Sequence, residues 1–260
     1  MRRLKAASNI LESVVLVVLP LWVISALAAN VPGVWRAAAL GVAAFGIAML
    51  LGQQVVVRLL TKRLRRRADE IGIVDEAGKK AYLYRRILIP GALVAGVFEE
   101  TARLIFLTWL LSSAESPWVL VVAFGLGHGG IEAIFVGLGA GVVGVLDALM
   151  PERMSKVELI GLRRQTAQEH WVGIGERIGV TVFHVLLTLL VAQTVTGGSM
   201  LWFFAAILLH VAMDYVYAFG QLIRGWSAPR LAAVGWLLAV TAMLVLWISG
   251  GLSEVIAIML

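Results

Sequence analysis

Cysteine is absent from this chain of 260 residues, which excludes disulfides, thiol catalysis and Cys-ligated zinc. Charge is scarce: Asp, Glu, Lys and Arg together make 15% of the sequence, against about 25% in an ordinary soluble domain. Acids are the rarer sign, 16 against 22 Lys and Arg, and there are 4 histidines. There is no local HExxH pair, no evident Ser–His–Asp order and no convincing internal repeat. What fills the chain is apolar: 60% of residues are hydrophobic, with a mean hydropathy of +0.92. These proportions describe an integral membrane protein, multi-pass in a cell membrane of the bacterial inner-membrane kind. The length confines it to one compact all-α bundle, a single transmembrane domain over 1–260.

Apolar runs of the roughly 20 residues needed to span a bilayer fall at about 10–29, 37–60, 87–111, 118–149, 177–196, 200–222 and 231–250. They predict about seven transmembrane helices. Met1-Arg2-Arg3-Leu4-Lys5 before an apolar run resembles a signal peptide, but the run is too long and no clear cleavage site follows, so it is expected to remain as the first helix. The fourth run is longer than one span and is expected to tilt, kink or project. With the N-terminus cytoplasmic, the basic residues gather on one side: Arg2, Arg3 and Lys5; Lys62 through Arg86; Arg153 through Arg177; Arg224 and Arg230. The outer loops carry only Arg36, and the C-terminus falls outside. The pI of 10.1 therefore reflects membrane sidedness, with lipids as partners and no nucleic acid. The cytoplasmic segments 61–86 and 150–176 are expected to be solvated or headgroup-contacting, with room for short surface helices.

Against this background the ionisable residues inside the spans stand out, because such groups are costly at membrane depth unless they face a polar interior. The third run holds Glu99, Glu100 and Arg103. Either acid can meet Arg103 on a helical face, at i,i+4 or i,i+3, leaving the other as a base. The fourth holds His128 and Glu132, four apart and set among Gly125, Gly127, Gly129 and Gly130, which allow another backbone, a substrate or a water to come close. The fifth opens with Glu176 and Arg177 and carries His184; the sixth holds His210 and Asp214, again four apart. At 1.5 Å per residue, the motifs of the third, fourth and sixth helices reach a similar depth and predict one polar chamber.

Two chemistries suit this set. A carboxylate base with histidines activates water for attack on a carbonyl, with His and Asp stabilising the oxyanion. The same side chains also suit zinc or another divalent metal, with His128, His184 and His210 as the candidate ligands. A proton- or ion-coupled transporter is a rival reading, since buried acids and histidines also relay protons. A silent membrane scaffold that keeps the cluster for packing is another.

The chain resembles the YhfC-type intramembrane metalloprotease family, a relative of the CAAX prenyl protease and PrsW families. The resemblance rests on Glu99-Glu100-x-x-Arg103, Gly125-x-Gly127-His128-Gly129-Gly130-x-Glu132-Ala133, Glu176-Arg177 followed by His184, and His210-x-x-x-Asp214, and covers about 85–220. It implies an intramembrane peptidase acting on a membrane-embedded peptide or protein. By analogy, Glu99 would activate water with His128, Arg103 would hold Glu100, and His210 with Asp214 would stabilise the oxyanion. CAAX proteases often carry Asn where this chain has the acidic Asp214, as PrsW-like members do, which favours metal binding or orientation of His210 at that position.

Overall fold

The computed structural model describes residues 2–112, 117–150 and 167–251. Among them are eight α-helices: α1 (Arg2–Ala28), α2 (Val34–Ala48), α3 (Arg58–Glu70), α4 (Glu76–Leu111), α5 (Pro117–Leu149), α6 (Ala167–Gly197), α7 (Met200–Phe219) and α8 (Ala228–Ile248). Two π-helical stretches extend this set, Met49–Val57 joining α2 to α3 and Gly220–Arg224 closing α7. Among the described residues, six helices are long and apolar enough to cross a membrane. The seventh expected span lies in α4, where Glu99, Glu100 and Arg103 interrupt the apolar run that carries the site. The protein is a multi-pass membrane protein.

Local signals explain the helix limits. Asp75 caps α4, its carboxylate accepting from the Gly78 amide at 2.6 Å. α8 starts on Ser227 with Pro229 in its first turn, where the missing N–H is not needed. α3 is the surface helix allowed for in segment 61–86, and α4 begins well before its apolar run. The fifth span differs from expectation: α6 already includes Ala167, so Glu176 and Arg177 lie inside the helix rather than at its opening. Of the segment 150–176, residues 151–166, with Arg153, Lys156, Arg163 and Arg164, lie outside the described residues.

α5 and α6 are the inner helices. In α6, 72% of the most apolar stretch is buried within the protein, and in α5 56%, against 22–29% in α1, α2, α7 and α8. The outer helices turn residues such as Trp22, Leu201, Leu237 and Trp247 outward, as lipid contact requires. α1 and α2 pack on α5, α8 on α6, and α4 bridges α2, α6 and α7. Without a hydrophobic force between helices in lipid, close packing must supply the cohesion. The glycines of α5 make it possible: a Cβ on Gly127 would lie 2.0 Å from the Ala38 carbonyl oxygen of α2, and one on Gly41 equally close to that of Phe124. No larger residue fits at this crossing without parting α2 from α5.

Candidate active site

Four helices converge their polar residues on one buried cluster. α4 supplies Glu99, Glu100 and Arg103, α5 His128 and Glu132, α6 Arg177 and His184, and α7 His210 and Asp214. The glycine stripe of α5 lets α6 approach: a Cβ on Gly129 would meet the His184 Cβ at 2.9 Å. This close crossing brings His184 to the level of His128, with ring centroids 5.2 Å apart; His184 and His210 are also 5.2 Å apart.

The ion pair of α4 is the i,i+3 one. Arg103, with no exposed side-chain surface, donates from Nη1 to the carboxylate of Glu100, which is equally buried. Its Nη2 faces the His184 Nδ1 at 3.2 Å. A guanidinium can only donate, so His184 accepts at Nδ1 and carries its proton on Nε2, which lies 3.2 Å from Glu132 Oε2. Glu100 also accepts from His210 Nδ1 at 2.6 Å. That bond places a proton on Nδ1 and turns Nε2 toward Glu99 Oε2 at 3.6 Å and Asp214 Oδ2 at 3.9 Å. Glu99 Oε2 also lies 3.0 Å from His128 Nε2. His128 Nδ1 is buried with no hydrogen-bond partner among the described residues.

Glu99, His184 and His210 each offer a ligand atom within 4.8 Å of one another, and all three residues are buried. Imidazole nitrogens with one carboxylate are an ordinary donor set for a catalytic divalent ion. The Glu100–His210 bond is the outer-shell support that orients such ligands. This group contains two of the three expected histidines and replaces the third with Glu99. His128 stands behind Glu99 and bonds to it.

A cavity of about 510 Å³ reaches the cluster, with Glu132, Arg177, His184 and Asp214 among its lining residues. Arg177, expected where the fifth span meets the cytoplasmic interface, joins the site: its Nη1 donates to Glu132 Oε1 at 2.9 Å and its Nη2 to Glu176. Its spacing to Thr181, His184 and Thr188 is i+4, i+7 and i+11, one helical face, and that periodicity was the available signal. A separate buried contact, Glu12 Oε2 with His170 Nδ1 at 2.5 Å, ties α1 to α6. Neither residue stood out in sequence, Glu12 being a lone acid near the start of its apolar run and His170 one of several polar residues after Arg163.

No solved structure matches the chain. An uncharacterised membrane protein, YhfC of Bacillus subtilis (strain 168), is 31% identical over 140 residues, which are 48% of this chain and 54% of that protein. The chain thus spans about half the length of this relative. The signature of the YhfC intramembrane metalloprotease family matches residues 14–234, a stretch that holds every side chain of the cluster. The chain belongs to the YhfC intramembrane metalloprotease family.

Proposed function

We propose that the protein is an intramembrane peptidase that hydrolyses peptide bonds within or beside the bilayer, with Glu99, His184 and His210 holding a divalent metal, zinc by its donor preference. The observation that carries this reading is the buried convergence of those three side chains beside a cavity that His184 lines. A bound ion there would polarise the scissile carbonyl and ease deprotonation of water.

The side chains divide the remaining work. Glu99, holding the metal through one carboxylate oxygen, would take the proton of the attacking water on the other and return it to the leaving amine. His128, 3.0 Å from Glu99 Oε2, fixes the rotamer of that carboxylate. Glu100 holds His210 through Nδ1, so that Nε2 faces the reaction. Arg103 neutralises Glu100, and its Nη2 meets the Nδ1 lone pair of His184, which a metal would take over while Nε2–H stays on Glu132. Asp214, about one-third exposed at the cavity wall, restrains His210 from the open side.

The test is cleavage of a fluorogenic membrane-spanning peptide by the purified protein in proteoliposomes. Cleavage is expected to stop on treatment with a membrane-permeant chelator and to return on adding zinc. Cleavage that persists through chelation overturns the metal-assisted reading, and the absence of any cleavage by the zinc-loaded protein overturns the peptidase reading.

A further inference from the structure

The site cavity does not end at a lipid-facing wall. It shares Val57 with a depression of about 390 Å³ along α3 and Ile87 with a second, of about 460 Å³, between α3 and α4; those two share Thr61 and Arg65. Through these shared residues the three adjoin as one groove, leading from the cavity lined by Glu132, His184 and Asp214 to a basic surface of α3 and α4. Its outer end is lined by Arg58, Lys62, Arg65, Arg66 and Lys80, all exposed and none with a carboxylate partner among the described residues. Of the acids beside them, Asp69 is held by Lys79 at 2.5 Å, which leaves Glu76 as the one without an ion pair among the described residues.

Where the groove meets the site cavity, three helices depart from regular α geometry. The π stretch of α2 ends at Val57, the π turn of α7 contributes Gln221 and Leu222, and α4 carries Pro90 beside Gly91. π segments concentrate at functional sites. Proline removes the bond that would reach the carbonyl four residues back, that of Arg86. A polypeptide must leave its own helix before it can be cut, and its backbone groups then need replacement partners.

We infer that this groove is the path by which substrate reaches the site, and that it selects a membrane-embedded polypeptide whose flank on the α3 side is acidic. The inference rests on the peptidase reading of the site. Charge complementarity with the five unpaired cations specifies the flank. An anionic lipid headgroup would need only the basic rim, whereas the groove continues inward to His184 and Asp214, a course that suits a chain.

The test uses the full-length protein in nanodiscs and two fluorescent membrane-spanning peptides, identical except for a Glu-rich or a Lys-rich flank. The variant is Arg65→Glu/Arg66→Glu, at exposed positions outside the site. Wild type is expected to bind and cleave the Glu-flanked peptide preferentially. The variant should raise KM for it at least about tenfold with kcat unchanged. Anisotropy with the Glu99→Gln protein gives Kd without turnover and should shift by the same factor when the two arginine changes are added. Equal affinity of wild type for both peptides, or an unchanged KM and Kd in the variant, overturns the inference. Loss of co-purified phosphatidylglycerol with unchanged peptide affinity also overturns it and makes the rim a headgroup site. If wild type binds selectively yet cleaves neither peptide, the peptidase reading falls while the selectivity of the groove stands.

Discussion

Glu99→Gln is expected to lower the rate of peptide hydrolysis by about 10²–10⁴-fold, the range a positioned general base contributes. Glutamine keeps the volume and one acceptor oxygen, so the contact with His128 Nε2, now 3.0 Å from Oε2, survives. Folding should survive with it, read as an unchanged elution profile and a thermal midpoint close to wild type. The assay is run at saturating zinc, so that weaker metal retention does not pass for lost base function. Full activity in Glu99→Gln would remove Glu99 from the chemistry and leave Glu132 and Asp214, the carboxylates that line the cavity, as the bases to test.

Arg103→Ala is expected to destabilise the protein by about 3–5 kcal/mol, the cost of leaving a buried charge without its partner. The figure follows from position: Arg103 and Glu100 have no exposed side-chain surface, and Arg103 also supplies the donor at His184 Nδ1. Lysine should rescue only part of this, because one ammonium does not reproduce the fork that serves Glu100 and His184 together. Removing both charges, as Glu100→Gln/Arg103→Met, should be milder than Arg103→Ala alone, since no unpaired charge remains. Unfolding in detergent gives the comparison. A midpoint for Arg103→Ala equal to wild type would mean that Glu100 is hydrated rather than neutralised by Arg103.

Much of this architecture is legible in the sequence, because lipid imposes a simple rule on composition. Runs of about 20 apolar residues must be helices, and they located the spans, including the one in α4 that its own charged residues interrupt. The candidate site is legible for the same reason, since Glu99, Arg103, His128 and His210 are conspicuous where charge is scarce. Pairing is less so. Helix spacing allows Arg103 to meet Glu99 or Glu100, and the choice depends on His184 and His210, which approach from other helices. The first turns of α6 are hidden because Gly173, Gly175, Glu176 and Arg177 resemble a polar loop, and contacts from other helices, Trp236 on Gly175 and Glu132 on Arg177, are what enclose them. The π stretches at Met49–Val57 and Gly220–Arg224 have no composition of their own and follow from packing alone.

The most direct measurement of the central claim is the metal content of the purified protein by plasma mass spectrometry, compared with His184→Ala and His210→Ala. Each preparation is passed through size exclusion so that only folded protein is counted. Near-stoichiometric divalent metal in wild type, zinc foremost, and its loss from both variants is the result expected of a site held by Glu99, His184 and His210. Wild type that takes up no metal even after incubation with zinc, or variants that retain it in full, would contradict the account.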